Sequence, residues 1–380
     1  MKQGWEYKKL GEVCNITMGQ SPDGKSINDN EGVEFHQGKT CFGERTLGVS
    51  CLFSNAPVKL AEANSVLLCV RAPVGYPNIT NRKICIGRGL CALYAKENID
   101  NTFLFYSLLG KQSHFEKNAT GSTFKAISSK VISNTEIPFP PKSTQLSIVS
   151  ELDKINELIR LKKEQLKDYD NLTQSIFYEM FGDPVENEKG WEVKKLGDVC
   201  TDIRYGTSKP ACENGCYKYL RMCNITDDGF LNLSNLKTID IPDDEIEKCI
   251  VRHGDILFNR TNSIELVGKT CMFDNSEPMV IAGYIIRVRL NERLLPVVLA
   301  RMFNLVSIKK KLRSMAKGAV NQANINSKEL ASIRIPLPPL SLQHLFAQRI
   351  EQIERQKSAV QKSITDLETL LASRMQYWFE

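Results

Sequence analysis

Two triplets, Gly38-Lys39-Thr40 and Gly268-Lys269-Thr270, come nearest to the phosphate-cradling pattern G-x-x-x-x-G-K-[ST]. The first has its upstream glycine at Gly32, one place too early, and the second has Ser263 where glycine is required. Neither builds a nucleotide site. Cys212 and Cys216, with Cys223 close by, make half of a zinc site, but no second Cys/His pair has ligand spacing, so no metal is assigned. His36, His114, His253 and His344 lie far apart and read as structural. No glycine fingerprint for a dinucleotide or methyl-donor pocket follows a strand and opens a helix. Pro138-Phe-Pro-Pro141 and Pro336-Leu-Pro-Pro339 lack the asparagine of an amino-methyltransferase N-P-P-[YF] motif. No pair of carboxylates forms an acid/base or nuclease arrangement. No catalytic residue and no cofactor is assigned, and the chain reads as a binder.

The binding chemistry is basic and polar. Fifty Lys and Arg stand against 44 Asp and Glu in 380 residues, a net charge of +6. The excess is localised: residues 1–141 carry +4 and 182–339 carry +3, whereas 142–181 carry −1 and 340–380 are neutral. Such a distribution suits globules that touch phosphate. Arg71, Arg82, Lys83 and Arg88 surround residues 70–90, and Arg204, Lys209, Arg221, Arg252 and Arg260 fall at or near turns of the second stretch. The densest basic run is Lys309-Lys-Lys-Leu-Arg313 with Lys317, equally readable as a solvated helix face. Gln37, Asn224, Asn262, Asn321 and Gln322 could read base edges. With Gln20, Ser21, Lys25, Lys39, Lys125 and Thr207, the Arg and Lys residues at 71, 83, 88, 204, 209, 221 and 260 and these five polar residues form the candidate DNA-binding set.

These residues sit on a duplicated frame. Residues 4–14 read GWEYKKLGEVC and 190–200 read GWEVKKLGDVC, identical at nine of eleven positions. Each is followed by a Gly and Pro turn, Gly19-Gln-Ser-Pro22 and Gly206-Thr-Ser-Lys-Pro210. Each half closes alike: Ile127-Ser-Ser-Lys130 with Ile325-Asn-Ser-Lys328, Ile137-Pro-Phe-Pro-Pro141 with Ile335-Pro-Leu-Pro-Pro339, and Ser143-Thr-Gln145 with Ser341-Leu-Gln343. The second half carries about a dozen extra residues in its middle, and the middles otherwise diverge. After each proline cluster a helix is expected, with Ser143 or Ser341 as N-cap. Leu152, Ile155, Ile159 and Leu166 in the first, and Ile350, Ile353, Val360, Ile364 and Leu367 in the second, mark heptad seams, interrupted at Lys162 and Lys357. Two matched rods of about 39 residues, roughly 58 Å long, favour a mutual coiled coil. Strands are expected at Ser65-Val-Leu-Leu-Cys-Val70, Asp255-Ile-Leu-Phe258 and Tyr284-Ile-Ile-Arg-Val-Arg289, and helices over 101–111 and 294–315. Each interior is read as an α+β globule with a mostly antiparallel sheet. No apolar run approaches the ~20 residues of a membrane span. The first residues show no secretory signal, so the twelve Cys are read as reduced thiols in a cytoplasmic protein.

The ordered set of motifs resembles the specificity (S) subunit of type I restriction–modification systems. The Trp-x-x-x-x-Leu-Gly-Glu/Asp-Val openings at 5 and 191 carry the resemblance. So do Val70-Arg-Ala-Pro-Val-Gly75, Gly87-Arg-Gly-Leu90, Gly254-Asp-Ile-Leu-Phe-Asn-Arg260 and the Ile-Pro-x-Pro-Pro-x-Ser-x-Gln closings. The resemblance implies an α+β fold of two similar globular target-recognition domains, 1–141 and 182–339. They would be separated by two long helices, 142–181 and 340–380, that form an antiparallel coiled coil. Each domain would read one half of a bipartite, asymmetric double-stranded DNA target, and the helices would set its spacer. The implied partners are two DNA methyltransferase subunits and commonly restriction subunits, and S-adenosylmethionine, ATP and Mg would belong to them. Lys209, inserted before Pro210, departs from the first turn, so the two turns need not contact DNA alike. The competing readings are a self-sufficient methyltransferase or nuclease, and a coiled-coil scaffold without direct DNA contact.

Overall fold

A computed structural model describes residues 5–121, 125–319 and 322–379. They fall into two compact units, residues 1–163 with 362–380, and residues 164–361.

In the first unit the repeated opening forms strand Glu6–Lys9, paired antiparallel with Glu136–Phe139 from the proline closing. A four-stranded antiparallel sheet follows in the order Cys14–Met18, Leu90–Ala95, Val66–Cys69 and Pro77–Ile79. Its central strand Val66–Cys69 is buried along its whole length, as its unbroken apolar run requires. A five-stranded sheet beside it contains one parallel pair, Val33–His36 with Ile84–Ile86. Helix Asn101–Gly110 is capped by Asp100, whose carboxylate accepts from the Thr102 and Phe103 amides. Phe103, Phe115, Ile148, Leu152 and Phe379 lie in one core.

The second unit repeats this plan with other residues. Glu192–Lys195 pairs with Arg334–Leu337, and the four-stranded sheet runs Cys200–Tyr205, Ile285–Leu290, Ile256–Asn259 and Thr270–Met272. The parallel pair recurs as Tyr217–Leu220 with Met279–Ile281. A three-stranded sheet of Thr261–Asn262, Gln322–Asn324 and Lys317–Ala319 is added. The expected helix over 294–315 is two helices, Pro296–Asn304 and Val306–Met315. Leu305 is extended between them, and the Asn304 amide turns back to donate to Ala300 O (2.8 Å) and Thr270 O (2.7 Å), ending the first helix.

Backbone hydrogen bonds show how closely the two frames agree. Gly19 N donates to Leu90 O and Gly206 N to Ile285 O; Gln20 N donates to Ile86 O and Thr207 N to Ile281 O. Val70 N donates to Gly89 O and Arg260 N to Tyr284 O, while Ile127 N and Ile325 N donate to Val70 O and Arg260 O. The extra residues of the second half thus enter in steps along the frame, not as one insertion. Gly19 and Gly206 are matched for a steric reason. A Cβ on Gly19 would lie 2.1 Å from Gly87 O, and one on Gly206 2.1 Å from Ile281 O.

The proline closings open helices of 40 residues each, Lys142–Phe181 and Leu340–Phe379, each ~60 Å long. Ser143 and Ser341 are not N-caps. Each helix begins before its serine, and the carbonyls of Pro141 and Pro339 accept the first helical N–H groups. The first helix ends at Gly182, whose φ of +75° suits a residue without a Cβ. The helices run antiparallel in both units. In the first, Glu151 pairs with Arg374 and Lys163 with Glu368 (3.0 Å); in the second, Asp170 pairs with Lys357 (2.6 Å) and Phe177 stacks edge-on against Phe346. Leu152, Ile155, Ile159, Ile350, Ile353, Val360 and Ile364 are buried, while Leu166 and Leu367 are half-buried. Lys357 can interrupt the seam because Asp170 neutralises it and its ammonium lies 4.0 Å from the Phe230 ring centre.

Two glutamines at the helix entrances tie each helix to its own globule. Gln145 Oε1 accepts from Asp100 N (2.9 Å), and its Nε2 donates to Asn98 O and Pro140 O. Gln343 does the same with Leu295 N (2.8 Å), Arg293 O and Pro338 O. Both are fully buried.

Candidate nucleic-acid interface

In each unit, one end of the four-stranded sheet gathers strand exits that carry candidate residues, most of them in the first unit and fewer than half in the second. In the first unit, Gln20 and Ser21 leave strand Cys14–Met18, and Arg71 follows strand Val66–Cys69. Arg88 precedes strand Leu90–Ala95, and its amide approaches Ser21 Oγ at 3.5 Å. Gly87 N donates to His36 O, which brings up Gln37, and Ala72 N donates to Lys125 O. Arg71, Arg88 and Lys125 are exposed, and among the described residues none has an ion-pair partner. Lys39 joins them with its ammonium 4.2 Å from the Tyr76 ring centre. Lys25 is exposed on its own short turn, Gly24–Ser26. Lys83 is paired with Glu62 at 2.8 Å, on the strand edge formed by Leu60–Ala61 and Ile84–Ile86.

The loop that carries Gln37 and Lys39 is anchored by a compact ionic cluster. Glu34 accepts from Arg82 Nε (2.6 Å) and Nη2 (2.7 Å), from Ser50 N (2.7 Å) and from His36 Nε2 (2.8 Å). Arg82, a basic residue of the 70–90 segment, is thus structural. Burial pushes the Glu34 carboxyl upward, but Arg82, the Ser50 amide and His36 outweigh it and hold it down at about 2. His36 is lowered by burial, with Glu34 opposing. Both shifts have the same sign for stability, since the unfolded chain binds more protons. The Glu34 contribution is complete above pH ~4.5 and is lost as pH falls toward 2; His36 begins to erode stability below pH ~6.5. Acid should therefore unfold the 33–54 segment of wild type earlier than that of Glu34→Gln relative to their neutral-pH stabilities, as hydrogen exchange of that segment against pH would show.

The second unit gathers Thr207, Arg260, Asn262 and the backbone of Gln322 at the corresponding sheet end. Asn262 pairs with Ala323 in the added three-stranded sheet. Three residues absent from the candidate set build this end. Tyr205 lies under the Arg260 guanidinium, 4.6 Å from ring centre to Cζ, and its hydroxyl accepts from Ser327 N (2.8 Å). Asn324 Oδ1 accepts from Arg260 Nε (3.1 Å) and Thr261 Oγ1 (3.0 Å). Tyr284 is 51% exposed beside them. Tyr205 directly precedes Gly206 of the repeated turn, a position from which it could have been found; Asn324 and Tyr284 had no such signal.

Other candidates are placed elsewhere or held by neighbours. Arg204 pairs with Asp202 (2.8 Å) and Lys209 with Glu245 (2.9 Å). Arg221 donates to Asn235 O. Asn224 is buried, with its amide closing its own turn through Arg221 N and Asn232 O. Asn262 Oδ1 accepts from Ser263 N, and its Nδ2 donates to Asn259 once that amide is oriented to satisfy its neighbours. Asn321 lies outside the described residues, as do the side chains of Gln322 and Lys317. Arg252 pairs with Glu247. Within the basic run, Lys309 donates to Asp227 O (2.7 Å) and Arg313 to Glu265 O (2.9 Å). Of the lysines in the near-miss phosphate motifs, Lys269 is buried against Asp227 (3.1 Å). Cys212 and Cys216 both turn to Asp240; among the described residues no three His, Cys, Asp or Glu are grouped to hold a metal. Among the described residues no helix is long and apolar enough to cross a membrane.

Two copies of one strand frame, each joined to one of two antiparallel helices and carrying different side chains at the same sheet end, define a paired recognition-module architecture. The family model for the type I restriction modification DNA specificity domain matches residues 2–168 and 188–369, so the chain belongs to the type I restriction–modification specificity-subunit family and carries two copies of its domain. It is 38% identical over 178 residues to a putative type I restriction enzyme MjaX specificity subunit of Methanocaldococcus jannaschii, a match covering 46% of this chain and 42% of that protein. The chain thus spans less than half the length of that relative. The MjaVIII specificity subunit of the same organism is 24% identical, covering 97% of this chain and 92% of that protein. A chain from a structure concerned with assembly and conformational transition of a type I restriction–modification system shares the fold, with a TM-score of 0.65 at 21% identity over 100% of this chain and 98% of that one.

Proposed function

We propose that this chain is the non-catalytic, sequence-reading subunit of a type I restriction–modification complex. Residues 1–141 and 182–339 would act as its two target-recognition domains. Each reads one half of a bipartite double-stranded DNA target, and the two long helices fix the spacer and dock methyltransferase subunits, two per complex. Restriction subunits join the same assembly in the cytoplasm. S-adenosylmethionine, ATP and Mg are bound by those partners.

One observation carries this reading: the corresponding sheet ends of two matched frames hold different cationic and polar side chains. In the first unit, Arg71, Arg88 and Lys125 are exposed cations without an anionic neighbour among the described residues. Unpaired cations clustered at strand exits are suited to phosphate. The test uses the full chain assembled with its methyltransferase partners. Replacing Arg71 and Arg88 together by Ala should weaken duplex binding and reduce the slope of log affinity against log salt by about 2, nearly one per lost phosphate contact. The preferred target sequence should stay the same. An unchanged slope would remove this sheet end from the DNA interface.

A further inference from the structure

Arg260 differs from the other basic residues of the interface in how firmly it is held. It is half-buried; Tyr205 supports one face of the guanidinium at 4.6 Å, and Asn324 Oδ1 accepts from Nε at 3.1 Å. Both supports are themselves fixed. Ser327 N donates to the Tyr205 hydroxyl, and Thr261 Oγ1 donates to Asn324 Oδ1. The backbone is held too, because Arg260 N donates to Tyr284 O and Arg260 O accepts from Ile325 N. Only Nη1 and Nη2 have no hydrogen-bond partner among the described residues, and no carboxylate pairs with the group. A phosphate contact needs only charge and reach. A guanidinium clamped in plane, with its two terminal nitrogens left as parallel donors, has the geometry for two acceptors on one base edge. In the major groove guanine O6 and N7 supply that pair.

We infer that Arg260 reads a guanine in the half-site of the second unit, with Tyr205 and Asn324 as its positioning residues. This rests on the proposed DNA-reading function and adds the base and the reader. The first unit has Val70 at the matching frame position, so it reads its half-site by other means.

The test takes the full chain with its methyltransferase partners and selects bound duplexes from a randomised library. Wild type should require a G·C pair at one position that Arg260→Ala no longer requires, with the other half of the target unchanged. Arg260→Lys, which keeps the charge but not the planar fork, should weaken that requirement while keeping the salt dependence. Placing 7-deazaguanine, which lacks N7, at that position should weaken wild-type binding roughly 5- to 150-fold and leave Arg260→Ala unaffected. Equal base preferences in wild type and both variants, or an equal 7-deazaguanine effect on wild type and Arg260→Ala, would overturn the assignment and leave DNA reading intact. Absence of any sequence selection by the wild-type assembly would overturn the DNA-reading function and the assignment together.

Discussion

Asp202→Ala should destabilise the second unit by about 3–5 kcal/mol, because it strands a fully buried guanidinium. Arg287 has 0% exposure, donates through Nη2 to Asp202 Oδ2 (2.5 Å) and through Nη1 to the carbonyls of Glu247 (3.2 Å) and Ile250. Burial would raise the Asp202 carboxyl, but Arg287 and Arg204 hold it below the usual carboxylate range. The pair holds strand Cys200–Tyr205, helix Asp243–Cys249 and strand Ile285–Leu290 together. The first unit has Ala92 at the matching frame position, so the sheet itself does not need the ion pair. Arg287→Met should therefore be costly alone, while Asp202→Ala combined with Arg287→Met should cost less than the two single changes added, by about 0.5–3 kcal/mol. Urea unfolding followed by hydrogen exchange in peptides of the second unit measures all three; strict additivity would show that the charges are not coupled.

Gln343→Leu should lower the stability of the second unit by about 3 kcal/mol while leaving the long helix helical. The change removes the acceptor for Leu295 N and the donor to Arg293 O and Pro338 O, leaving buried backbone groups unpaired. Gln343→Glu should be no milder, since it keeps the acceptor but turns an oxygen toward two carbonyls. The matched change Gln145→Leu should act on the first unit through Asp100 N, Asn98 O and Pro140 O. Amide exchange should quicken at 293–295 for Gln343→Leu and at 98–101 for Gln145→Leu, each in its own unit. Exchange that accelerates uniformly along the long helix would show that the glutamine stabilises the helix instead of its junction.

Both glutamines stood in a visible motif, yet their role was not legible in the sequence. Gln145 and Gln343 repeat at matched positions, but beyond the nearby Pro140 and Pro338 carbonyls their partners lie 45 to 50 residues away along the chain. The eye settles on the adjacent serines, which are ordinary caps elsewhere and exposed first-turn residues here. Patterns governed by local repetition were readable. The openings and the proline closings announce a duplicated frame, and the seam from Leu152 to Ile159 and from Ile350 to Ile364 announces two long paired rods; that each opening pairs as a strand with its closing came from the structure. Burial and pairing were not. Asn224 looked like a base reader and is enclosed in its own turn, while Arg82 and Lys83, neighbours in sequence, separate into the anchor of a half-buried carboxylate and a surface ion pair. Tyr205 and Asn324 were overlooked because their value lies in supporting Arg260, a relation between residues 55 to 64 positions apart.

The composition of the first unit has a consequence for the order in which the protein is made. Its core includes Phe379, packed against Phe103 with ring centres 5.5 Å apart and against Gly110, and Trp378 stacks on Trp5. Residues 1–163 are translated before the second unit, but the helical turns that complete their core are translated after it. The second unit is contiguous and needs no residue translated after it to complete its core. The first waits through about two hundred residues with an open apolar face, the circumstance in which nascent chains lean on chaperones. Of the two units, the one begun earlier is the one completed later.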